Sequence, residues 1–135
     1  MKKAGKILLC IVIVVVVLVC GIGLFMRSWI SQTYKRLDEV ATVDLTDVAD
    51  GIYEGSEETE LVEVTVQVEV KDHAIQDIQL IRHRNGKGES AEAMIPEMIS
   101  RNTSEVDVVS GATLSSKTIR AAVRNALAQG TTQTE

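Results

Sequence analysis

The 135-residue sequence predicts an α+β fold, a small antiparallel sheet packed against helices and preceded by a single N-terminal transmembrane helix. Three patterns carry this reading. Residues Ile7 to Met26 form an uncharged run rich in Ile, Val and Leu. Val62, Val64, Val66, Val68 and Val70 alternate with Glu63, Thr65, Gln67 and Glu69, the period of a strand with one buried and one wet face. Ile119, Ala122, Val123, Ala126 and Leu127 recur at the i, i+3, i+4, i+7, i+8 spacing of one buried helix face.

At about 1.5 Å rise per residue, residues 7–26 span roughly the 30 Å hydrocarbon core of a bilayer. Lys2, Lys3 and Lys6 precede the run, and the positive-inside rule places that end in the cytoplasm and the C-terminal domain outside it. Arg27, Lys35 and Arg36 on the far side oppose this orientation. A cleaved signal peptide competes, but no clear small-x-small site follows and the run is longer than a usual signal core. Lipid attachment at Cys20 would want a small residue where Val19 stands. The expected organisation is therefore a cytoplasmic tail at 1–6, an anchor at 7–26, a juxtamembrane stalk at 27–44, a domain at 45–129 and a tail at 130–135. In the stalk, Trp29 and Tyr34 suit the membrane interface, and Trp29, Ile30, Thr33, Leu37 and Val40 could extend the helix along the surface.

From Asp38 to Glu69 there are eleven acids and no Lys or Arg, a solvated surface repelled by anionic headgroups. Asp50 to Gly55 reads as a short strand between glycines and Leu61 to Val70 as a long one. A turn at Lys71-Asp72-His73 leads to a further strand at Ile75 to Arg82, and His73 tolerates positive φ better than most residues. Next comes a basic stretch, Arg82-His83-Arg84-Asn85-Gly86-Lys87-Gly88, which is either a solvated loop or an attraction for a ligand phosphate. Ser90 is placed to cap a helix bearing Ala91, Met94, Ile95, Met98 and Ile99, which Pro96 breaks or restarts. Its methionines read as core. Asn102-Thr103-Ser104 fits a glycosylation sequon that is frequent by chance. A short apolar strand at Asp107 to Val109, a small-residue turn and the last helix follow, with Gly130 as a C-terminal stop.

Composition narrows the chemistry. Residues 27–135 hold all 19 acids against 11 Lys and Arg, a net charge of −8 within an overall −5, so nucleic acid is not an expected partner. Cys10 and Cys20 both lie in the apolar run, which leaves no disulfide, thiolate metal site or cysteine nucleophile for the rest of the chain. His73 and His83 are the only imidazoles, too few for a metal cage.

The remaining candidate is the stretch Asp107-Val108-Val109-Ser110-Gly111-Ala112-Thr113-Leu114-Ser115-Ser116. Gly111 and Ala112 lack bulk, so the backbone can turn sharply and approach a ligand, while hydroxyls crowd the helix start. Free amides and the positive end of the helix dipole favour an anion such as phosphate there. The alternative is a turn in which Ser110, Thr113 or Ser115 merely caps the helix.

Asp107-Val108-Val109-Ser110-Gly111-Ala112-Thr113 resembles the flavinylation sequence of FMN-binding domains, in which Asp, two variable residues, Ser or Thr, Gly and Ala precede an acceptor Thr. The likeness extends back to Asp50-Gly51-Ile52-Tyr53. The family includes the FMN-carrying C and G subunits of the sodium-translocating NADH:quinone oxidoreductase and of Rnf complexes. The resemblance implies FMN joined to the Thr113 hydroxyl as a phosphodiester by a separate flavin transferase. It implies a turn shaped by Ser110, Gly111, Ala112 and Ser115, and recognition of Asp107 by the transferase. A His-containing loop also recurs in the family, which makes His83 a candidate proton donor to the flavin. The function so implied is a membrane-anchored extracytoplasmic electron carrier serving a membrane redox partner, whether quinone or an NADH-linked complex. A small flavin-dependent reductase with its own substrate and an unflavinylated FMN-binding or interaction module are the alternatives.

Overall fold

The computed structural model describes residues 2–84 and 88–131. Asn85, Gly86 and Lys87 of the basic stretch and residues 132–135 of the tail lie outside them. The elements run α1 (Lys2–Asp38), a 3-10 turn (Leu45–Asp47), β1 (Gly51–Glu58), β2 (Glu63–Lys71), β3 (Ala74–Arg84), a 3-10 helix (Glu89–Ala93), α2 (Met94–Arg101) and α3 (Thr113–Thr131). The chain divides into two compact units, Met1–Thr33 and Tyr34–Glu135. The first is helical, and α1 is long and apolar enough to cross a membrane.

The second unit holds a three-stranded antiparallel sheet in the order β1-β2-β3. Asp72 and His73 have φ of 53° and 60°. Two consecutive positive-φ residues make the tight hairpin turn whose twist matches that of β2 and β3. The alternation read in β2 is realised: Val64, Val66 and Val68 are completely buried and Val62 and Val70 nearly so. Each contributes on the order of 1.5–3 kcal/mol by leaving water. Their partner is α3, which packs on β1 and β2 through Ile119, Ala122, Val123, Ala126 and Leu127, all buried.

Small residues allow α3 to lie directly on β1. A Cβ at Gly55 would overlap the Ala122 carbonyl and the Ala126 amide. Gly130 likewise faces Val48 and Tyr53, so it is required by packing; α3 does not stop there but continues to Thr131. Side chains also close the outer edge of β1. Gln129 donates to the Glu54 carbonyl at 2.6 Å, Asn125 to Ser56 at 2.9 Å and Arg36 to Glu58 at 2.8 Å, occupying acceptors that an edge strand otherwise leaves open.

Two expectations are corrected. Asp107 to Val109 is irregular and joins no sheet, because the Val109 amide bonds a side chain in place of a neighbouring strand. Among the described residues Ser90 caps no helix: Gly88 precedes the 3-10 helix without a side-chain bond, and α2 restarts at Met94 with Pro96 in its first turn, where a missing amide proton costs little. The segment from Tyr34 packs against the domain, with Leu37 fully buried.

Irregularity in β3 sets which side chains face inward. Register shifts lie between Thr65 and Val66 and between Glu69 and Val70, where Ile81 and Gln76 of β3 have no partner. Each extra residue reverses the inward parity of the strand. Ile75, Ile78, Leu80 and His83 therefore share the inner face, while Ile81 is exposed.

Candidate functional site

The site is built on the join between the irregular segment and α3. The Ala112 amide donates to the Val109 carbonyl at 3.0 Å, and Gly111 has φ of 81°. A positive φ at the third position of this four-residue turn is the type II arrangement, which suits Gly. The Ala112 carbonyl then accepts the first helical bond from the Ser116 amide at 2.9 Å. Thr113, Leu114 and Ser115 thus form the first turn of α3, whose amides have no carbonyl one turn back.

The hydroxyl that holds the turn is Ser116. Fully buried, it accepts from the Val109 amide at 3.0 Å and donates to the Ala112 carbonyl at 2.8 Å. Among the described residues no hydroxyl of Ser110, Thr113 or Ser115 accepts a helix amide. The capping alternative fails in its expected form, and these hydroxyls are not needed to close the turn. Asp107, Ser110 and Gly111 are exposed, Ala112 and Ser115 buried, and Thr113 half-buried at the first helical position.

A polar network fixes the approach to the turn. Arg124, almost fully buried, donates Nε to Glu105 Oε1 at 2.8 Å and Nη2 to Oε2 at 2.7 Å, and its Nη1 reaches the Val40 carbonyl at 3.1 Å. Arg120 adds a bond to Glu105 Oε2 at 3.1 Å and Ser104 one to Oε1 at 2.9 Å. Burial raises the Glu105 pKa, but bonds from Arg124 and Ser104 and the charges of Arg124 and Arg120 outweigh it and hold the carboxyl below the usual glutamate range. Glu105 lies two residues before Asp107, so the segment entering the turn is tied to α3.

His83 comes from the sheet. Opposite Val64 in the register, its side chain is buried and Nδ1 lies 2.8 Å from Glu92 Oε1 in the 3-10 helix that packs against α3. Its neighbours in the basic stretch point elsewhere: Arg82 pairs with Glu63 at 3.0 Å, and Arg84 approaches Glu63 at 3.8 Å. Its described basic residues, Arg82, His83 and Arg84, are therefore divided between the two faces of the sheet.

Sequence reasoning missed Ser116, Glu105 and Arg124 as organising residues. The available signals were a hydroxyl four residues after the turn, able to bond a carbonyl one helical turn back, and an arginine beside the buried positions Val123 and Ala126.

Free helix amides beside an open glycine turn make a place where a phosphate-bearing group is favoured. The family of FMN-binding domains matches residues 61–128, half of the chain, and the chain belongs to that family: it is a flavin-binding protein. No curated protein matches the chain. The site fits the group. A Cβ at Gly111 would meet no atom within 4 Å, so the turn is open on that side, and the amides of α3 offer donors suited to a phosphate.

Proposed function

We propose that the protein is a membrane-anchored flavoprotein that carries electrons on FMN joined by a phosphodiester to the Thr113 hydroxyl. The observation that carries this reading is the type II turn at Val109–Ala112, which delivers Thr113 half-buried to the first position of α3 within the Asp-Val-Val-Ser-Gly-Ala-Thr sequence. Bound FMN supplies the redox chemistry. The protein's own groups hold and orient it: Thr113 is the tether, the first amides and dipole of α3 stabilise the phosphodiester charge, and Gly111 keeps the approach clear.

The long apolar helix supports membrane anchoring, and the lysines before it support an N-terminus in the cytoplasm with the domain on the extracytoplasmic side. There a covalent tether retains a cofactor that diffusion does not replace. A flavin transferase attaches the FMN, with exposed Asp107 available for its recognition. The electron partners are a membrane redox protein, a quinone or an NADH-linked complex.

Mass spectrometry of protein purified from its native membrane, beside Thr113→Ala, tests the reading. The expected result is the mass of FMN minus water on the Thr113 peptide and none on the variant. An unmodified peptide from cells that flavinylate other proteins would overturn it.

A further inference from the structure

Lys117 stands four residues after Thr113, on the same face of α3. Long side chains on a helix lean toward its N-terminus, here the direction of Thr113. Two residues of the segment preceding the domain meet its ammonium. Asp38 Oδ1 lies 2.6 Å from Lys117 Nζ, and the Tyr34 ring centroid lies 5.6 Å from the same atom. Tyr34 and Asp38 are themselves one helical turn apart, and Leu37 between them is buried. The result is a built surface: Lys117 retains only 17% side-chain exposure, although lysine normally extends into water.

The unit from Tyr34 onward contains two aromatic residues, Tyr34 and Tyr53. Tyr53 is in the core, with its hydroxyl donating to the Ala49 carbonyl at 2.8 Å. Tyr34 is half-buried, so an aromatic face of this unit is open beside Lys117, one helical turn after Thr113. A planar, electron-poor ring tethered at Thr113 finds there the partner that aromatic stacking requires, with a cation adjoining it.

We propose that Tyr34 and Lys117, fixed by Asp38, form a wall of the flavin site, so that the segment joining the anchor to the domain is part of the cofactor pocket. Tyr34 stacks on the isoalloxazine, and the Lys117 charge adjoins its electron-rich edge when the ring is reduced. This inference rests on attachment of FMN to Thr113.

Flavin fluorescence of the full-length flavinylated chain tests it, because a stacked tyrosine quenches an excited flavin by donating an electron. Wild type, Tyr34→Phe and Tyr34→Leu are compared at equal FMN content, set by the mass of the Thr113 peptide. Phe keeps the ring packing and lacks the easily oxidised phenol. The expected result is undiminished FMN mass with fluorescence per flavin rising severalfold in both variants, and a shifted flavin absorption band in Tyr34→Leu alone. Unchanged fluorescence and absorption in both variants, with FMN present, would overturn this wall and leave the tether standing. Absence of FMN from the wild type would overturn both.

Discussion

The Ser116 hydroxyl accepts a hydrogen bond from the Val109 amide at 3.0 Å and donates one to the Ala112 carbonyl at 2.8 Å, so one side chain closes both ends of the turn that precedes Thr113. Replacing it with alanine leaves the partly buried Val109 amide without this acceptor, at a cost of about 0.5–1.5 kcal/mol for the lost hydrogen bond. Ser116→Ala should lower the denaturation midpoint and the extent of Thr113 modification, while Ser116→Thr, which keeps the hydroxyl, should restore both. Denaturant titration and peptide mass spectrometry of the three proteins provide the check.

Gly111 makes a different demand. Its side has room for a methyl group, yet φ of 81° is unfavourable for any residue with a Cβ. Gly111→Ala should cost about 1 kcal/mol or more through backbone strain alone. A thermal midpoint equal to that of wild type would show that the turn does not need this conformation.

At Gly55 the obstacle is contact, since its φ is not in the left-handed region. An added methyl group would push α3 off β1, and overpacking of this kind costs roughly 1–3 kcal/mol or more. Gly55→Ala should destabilise the domain at least as much as Gly111→Ala, and hydrogen exchange should show weakened protection in α3 and β1 first.

The Glu105 carboxyl has a lowered folded-state pKa, so its contribution to stability is present above the ordinary glutamate value of about 4.3 and is lost as pH falls through the folded value. Melting temperature should therefore drop on acidification below pH about 4.3. Glu105→Gln should lower stability at neutral pH and flatten that acid limb. An identical acid limb in the variant would assign the pH dependence to other carboxylates.

The valines of β2 and the apolar stripe of α3 were legible because both are local: periods of two and of about 3.6 residues fix the inward side of any regular element. The glycine turn before α3 was legible too, since its residues are consecutive. Counting by twos from Ile78 and Leu80 would send Arg82 inward, whereas the unpaired Ile81 puts His83 there. Nothing local announces that residue as a bulge. The expected strand at Asp107–Val109 failed for a related reason: an apolar run is suited to a sheet, but a strand needs a partner, and Ser116 took the amide.

By itself the sequence determined the long apolar N-terminal helix, the antiparallel hairpin, the amphipathic α3 and the glycine turn before it, because each follows from the chemistry of neighbouring residues. Only the tertiary structure decided that Arg124 would hold Glu105, and that Tyr34 and Asp38 would meet Lys117 some eighty residues away in the chain. Such pairings depend on where whole elements come to rest. That position is set by the packing of α3 into the space left by Gly55, and no short-range pattern encodes it.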